Sequence, residues 1–217
     1  RGISSSARTV GQESGFGVYI DGVYTGRAET YNQQLPDIAS VEVLRGPQGT
    51  IFGKNTIAGA MSLNTRRPAK ELEGNVTLEA ANNGTQRVAG FISGPISDGL
   101  LYGKFAGTWG SSDGYATNVW NNSQQGTYDF VQARLQLRAT PAENLELLLS
   151  ADYYKREYVP YVSEITESEA GLGVIPGDYT VVEYIAVEGG AKDSETENSG
   201  VSLQVDYAFA GGHELTS

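Results

Sequence analysis

The sequence predicts a membrane-spanning antiparallel β-barrel from about residue 74 onward, behind a segment of different texture. Three observations carry that reading: strands that alternate between apolar and polar residues, connections that are tight at one edge and long at the other, and a composition built for turns and strands. The 217 residues include 28 glycines and 13 tyrosines, a mixture that favours β-structure with many turns. No run of about 18 apolar residues is present, so no transmembrane helix is predicted. Barrel strands need only about ten alternating residues between turns.

The first 68 residues hold short β-runs, Gly17–Ile20, Val41–Leu44 and Met61–Asn64, between glycine-rich and polar loops. One of these loops, GPQGTIFGKNT (Gly46–Thr56), has the look of a phosphate cradle. Its spacing excludes that. A P-loop needs four residues between its first Gly and the Gly-Lys-Ser/Thr, so that backbone N–H groups close around the phosphates and a hydroxyl reaches Mg²⁺. Here three residues separate Gly49 from Gly53, six separate Gly46 from Gly53, and Asn55 stands where the hydroxyl should be. Gly46, Gly49, Gly53 and Gly59 therefore read as tight turns and places of close backbone approach.

From Gly74 the texture changes to long two-faced strands. Val131, Ala133, Leu135 and Leu137 alternate with Gln132, Arg134, Gln136 and Arg138. Leu145, Leu147, Leu149, Ala151 and Tyr153 oppose Asn144, Glu146, Ser150 and Asp152, with Leu148 as the exception. Val201, Leu203, Val205, Tyr207 and Phe209 alternate with Ser202, Gln204 and Asp206. Period two puts each set on one sheet face. Weaker runs occupy Asn75–Ala81, Arg87–Ser93 and Leu100–Ser112.

Counting the connection after each of these six strands, the second, fourth and sixth (Gly94–Gly99, Thr140–Glu143, Ala210–His213) are tight. The first, third and fifth run from the short Asn82–Thr85 to Asp113–Thr127 and Glu157–Ser199. Long loops confined to one edge are the habit of outer-membrane barrels. A soluble sandwich also alternates and has hairpins. Against it stand the Arg, Gln, Glu and Asp residues on successive positions of the polar face, which suit a wet lumen. Trp109, Tyr153, Tyr207 and Phe209 near strand ends also resemble an interfacial girdle.

Composition narrows the chemistry. There is no cysteine and one histidine, His213, which argues against thiol, zinc and triad chemistry. The net charge of −11 argues against nucleic acid as a partner. Glu157–Ser199 holds ten acidic residues and one lysine. Within it Glu164, Glu167, Glu169 and Asp178 could take Ca²⁺ or join divalent bridges to lipopolysaccharide, the alternative being a solvated acidic loop. The chain opens at RGISSS without a basic-then-apolar leader, the mark of a mature form or of a chain whose beginning lies elsewhere.

The stretch VEVLRGPQGTIFGKNTIAGAMSLNTRRP (Val41–Pro68) closely resembles the end of the plug domain of TonB-dependent outer-membrane receptors. Arg1–Ile3 (RGI), Val18–Arg27 (VYIDGVYTGR) and Leu35–Ser40 (LPDIAS) resemble its earlier segments, and Gly94–Leu100 (GPISDGL) resembles a periplasmic turn of the family's barrel. The resemblance implies a fragment of a 22-stranded membrane β-barrel with an internal, mixed α/β plug. Residues 1–68 would be the C-terminal part of the plug. Residues 69–217 would be the first six strands and the start of a seventh, Glu214–Ser217.

In function the resemblance implies active uptake of a scarce nutrient across the bacterial outer membrane. The cargo would be a ferric siderophore or another small ligand such as haem, cobalamin or a carbohydrate. TonB, with ExbB and ExbD, would act through an N-terminal box not in this chain. No catalytic residue and no cofactor beyond the Ca²⁺ candidate is expected. Ligand contacts are expected on apical plug loops, from Arg8, Gln12, Glu13, Tyr24, Arg27 and Tyr31. Arg45 of the LRGP turn is expected either to latch the plug onto a barrel glutamate, Glu79 being the candidate, or to cap its own turn. Other uses of such a barrel are a passive porin, an adhesin, a signalling relative or a surface-complex scaffold. The first two would lack the LRGP segment.

Overall fold

A computed structural model describes residues 15–25, 34–97, 99–117, 123–159, 194–209, 211 and 213–216. In chain order the elements are β1 (Phe16–Ile20), β2 (Val23–Tyr24), β3 (Ile38–Arg45), α1 (Gly49–Phe52) and β4 (Gly59–Thr65). Then come β5 (Glu73–Ala80), β6 (Gln86–Ser97), β7 (Leu101–Ser112), β8 (Ala116–Thr117) and β9 (Gln124–Gln125). The last are β10 (Tyr128–Ala142), β11 (Leu145–Tyr158), β12 (Ser194–Ala208) and β13 (Glu214–Thr216).

The first four strands form a mixed sheet of order β2-β1-β4-β3, with β1 parallel and β3 antiparallel to β4. Asp21 and Gly22 make the two-residue turn between β1 and β2, both at positive φ (46° and 81°). This is the Asp-Gly hairpin signal, in which the left-handed turn matches the twist of the strands. The Asp21 carboxylate also accepts hydrogen bonds from Thr65 N (2.7 Å) and Thr65 Oγ1 (2.8 Å), tying the turn to the end of β4.

The loop Gly46–Thr56, expected as tight turns, is a set of turns around one helical turn, α1. The Tyr19 hydroxyl donates to the Phe52 carbonyl, and Asn55 Nδ2 donates to the Tyr24 hydroxyl at 3.1 Å. Tyr19 stacks obliquely on both Tyr24 and Phe52, with ring centroids 5.4 and 4.9 Å away. Gly59 marks a close approach: at φ +149° a Cβ there would sit 2.4 Å from the Leu44 carbonyl oxygen. Any side chain would push β3 and β4 apart.

The second sheet is an antiparallel meander of order β13-β12-β11-β10-β7-β6-β5, in chain sequence apart from the small β8-β9 hairpin. Its burial is inverted relative to a water-soluble sheet. On β10 the polar Gln132, Arg134 and Gln136 are 4%, 4% and 1% exposed, while Val131 and Leu135 are 40% and 48% exposed. Phe105, Trp109, Leu149, Tyr153, Val201 and Leu203 extend the exposed apolar band across β7, β11 and β12. A soluble sandwich would bury that band against a second sheet. Here the buried face is the polar one, and it packs against the first sheet. Leu148, the exception in the alternation, is buried on that inner face.

Two expectations about loops need correction. Residues 194–199, expected in the fifth connection, belong to β12, and β11 continues to Tyr158, so the register runs out to Tyr158↔Ser194. The side chains there are polar on both faces, so hydropathy falls silent while the backbone ladder goes on. The connection 113–127, expected as plain loop, contains the β8-β9 hairpin.

Candidate functional site

The chemistry of the chain gathers where the first sheet meets the inner wall of the second. Period two brings Lys104 and Thr108 of β7, Arg134 and Arg138 of β10, and Glu146, Ser150 and Asp152 of β11 onto that wall. Their registers (Gln136↔Lys104, Arg138↔Tyr102, Arg134↔Asp152) hold them side by side.

Lys104 makes the most enclosed contact. Its ammonium pairs with Asp37 and also donates to the Arg66 carbonyl, and both side chains of the ion pair are 0% exposed. One turn of pleat further along, Thr108 Oγ1 donates to the Gln34 carbonyl at 2.8 Å. Thus β7 grips the two chain segments that lead into β3 and out of β4. On β10, Arg134 reaches Asp21 (Nη1–Oδ2, 2.7 Å) and Asp152 (Nε–Oδ1, 2.8 Å). Arg138 bonds Glu146 (Nη2–Oε2, 2.7 Å) and lies 3.4 Å from the Pro68 carbonyl.

One cation comes from the other side. Arg67 Nη1 bonds Glu146 and, at 3.1 Å, Asp206 of β12. Burial works against its charge, but the hydrogen bonds and charges of the two carboxylates outweigh it and raise the guanidinium's pKa above the ordinary value. Arg67 lines two cavities. One, of about 560 Å³, lies between the Asp21-Gly22 turn and Gln136, Ser150 and Ser202 of the wall. The other, of about 910 Å³, opens at the tight-turn end beside Arg138, Glu143 and Asp206. The interface is therefore held by ion pairs, with cavities beside them.

Arg45 and Glu79 are not brought together. Arg45 is exposed at the end of β3, and the Glu79 carboxylate is held by Arg87, its cross-strand partner on β6, at 2.9 Å. Among the ligand-contact candidates Tyr24 is described, half-buried against Tyr19 and bonded by Asn55. Arg8, Gln12, Glu13, Arg27 and Tyr31 lie outside the described residues, as do Glu164, Glu167, Glu169 and Asp178. The wall residues Arg134, Arg138, Glu146 and Asp152 were visible in the alternation as polar positions. Asp21 and Asp37 carried no such signal and Lys104 stood only as one more polar position in a weaker run, because each matters only through a partner far away in sequence.

Residues 1–60 match the family model described as TonB-dependent Receptor Plug Domain. The pesticin receptor of Yersinia pestis is 41% identical over 86 residues, 40% of this chain and 13% of that protein. The ferrioxamine B receptor of Salmonella typhimurium is 32% identical over 85 residues, 37% of this chain and 12% of that protein. Among solved structures, the ferric yersiniabactin uptake receptor of Yersinia pestis superposes with a TM-score of 0.74 at 24% identity, covering 90% of this chain and 30% of that one. The chain thus spans about an eighth of the curated relatives' length and under a third of that structure.

Proposed function

The chain belongs to the TonB-dependent receptors, as plug segment followed by barrel strands, and from this we propose that it serves TonB-dependent active uptake of a scarce nutrient across the bacterial outer membrane. The cargo in this reading is a ferric siderophore or a similar small ligand, in keeping with the printed names of the siderophore receptors it resembles. The step is a movement with no covalent bond made or broken. We place the plug at residues 1–68 and the barrel at 69–217. Ala69 N donates to Ser93 Oγ of the wall at 2.8 Å, which suits a hand-over from one to the other at that point.

The observation that carries the proposal is the inverted sheet: apolar side chains outward, and an inner wall of ion pairs on which the plug rests. A wall made to seal permanently would do better with a dry apolar contact, which is costly to open. This one uses directional polar bonds in a wet lumen, which TonB could break by pulling on the plug. The test is uptake of iron-loaded siderophores by cells carrying the full-length receptor, with and without TonB. TonB-dependent accumulation of at least one ferric siderophore is the expected result. Uptake of small solutes indifferent to TonB would instead identify a passive pore.

A further inference from the structure

Two wall residues each hold two partners of opposite charge, one on the plug and one on the wall. Arg134 lies between Asp21 of the plug and Asp152 of β11, at 2.7 and 2.8 Å, using Nη1 for one and Nε for the other. Glu146 lies between Arg67 of the plug and Arg138 of β10, using Oε1 for one and Oε2 for the other. The two triads are charge mirror images: a cation between two anions and an anion between two cations. Since different atoms serve the two partners, both ion pairs exist at once.

From this geometry we propose that Asp152 and Arg138 are positioning residues for plug release. They are resident partners that keep Arg134 and Glu146 paired when Asp21 and Arg67 withdraw. The proposal rests on the reading of the plug as a moving part. Breaking an enclosed ion pair is costly mainly because a charge is left alone. A second partner on the stationary side removes that penalty, and the like charge it places beside the plug residue weakens the bond to be broken. Lys104 has no such provision. Its cross-strand neighbours on the wall are Ser93 and Gln136, both neutral. So among the described residues the wall carries two exchangeable contacts and one enclosed contact, Lys104–Asp37, that opens by stranding a buried charge. Asp206, the second partner of Arg67 at 3.1 Å, is also released but is 28% exposed and meets water. Release then has a defined order of difficulty, with Lys104–Asp37 the last to yield.

The test measures hydrogen exchange of the β1 and β4 amides in the purified full-length receptor in detergent micelles, without TonB. Asp152→Asn is expected to slow exchange about threefold, the size of one partly wet ion pair, and Arg138→Gln to act in the same direction. Asp21→Asn should speed exchange, and in its background Asp152→Asn should have no further effect. If Asp152→Asn speeds exchange or leaves it unchanged, the residue is an ordinary strut and the idea fails. Asp152→Ser, with the barrel's retained compactness checked by its gel migration without heating, repeats the measurement should the amide variant not fold. Uptake is assayed separately. A receptor whose transport ignored TonB would overturn the functional proposal while leaving the exchange result standing.

Discussion

Replacing Lys104 by methionine keeps the length of the side chain and removes its charge. The Asp37 carboxylate, fully enclosed in the closed state, is then left alone, and the Arg66 carbonyl loses its donor. Removing one member of a buried pair costs about 3–5 kcal/mol, because the survivor stays desolvated. The lost carbonyl bond adds about 1 kcal/mol. In the open state Asp37 meets water, so the whole cost falls on the closed state. Allowing for lumen water near the plug, a net of about 3 kcal/mol remains, or about a hundredfold in the opening equilibrium. The assay is denaturant-dependent exchange of the β3 and β4 amides in the full-length receptor. A paired replacement, Lys104→Met with Asp37→Leu, should bring the equilibrium back to within about 1 kcal/mol of wild type, since no charge is then buried alone. A single variant within twofold of wild type would refute the reasoning. So would a double variant as open as the single.

Leu135→Lys should impair insertion of the full-length barrel into lipid vesicles by about 2–4 kcal/mol, since the position faces the exposed apolar band; folding titrations followed on gels would read this. Gly59→Ala should loosen the β3–β4 contact, because a Cβ meets the Leu44 carbonyl, and limited proteolysis should find cleavage within residues 38–65 of the variant faster than in wild type. Tyr19→Phe removes one hydroxyl bond to Phe52 and should cost the plug about 1 kcal/mol, measurable as a shift in its exchange protection.

How much of this was legible in the sequence depends on whether the signal is local. The strands of the wall could be read residue by residue, because lipid on one side and plug on the other impose a strict period of two. The turns around Gly46 and Gly53 were legible through glycine chemistry. The order of the plug sheet was not: β1 lies parallel to β4 across about forty residues, and no periodicity announces such a pairing. The Arg45–Glu79 contact is not formed, and the partner of Glu79 was hidden for the same reason. Arg45 sits in the most recognisable motif, yet the cations that hold the plug include Lys104, which the alternation marks only as one more polar position. Glu79 looked available because it faces inward, but its cross-strand neighbour Arg87 had already claimed it. Ion pairs between distant segments depend on register across two sheets, which a single chain's pattern does not disclose.

The paired length of β11 and β12 has a consequence for how the receptor meets its surroundings. The ladder persists five residues past Tyr153, to Tyr158 and its partner Ser194, about 17 Å of strand at the usual rise. If Tyr153 marks the rim of the bilayer, Tyr154–Tyr158 and Ser194–Asn198 stand above the lipid as paired strand. Their side chains are then held beyond the headgroup layer at a height set by the ladder.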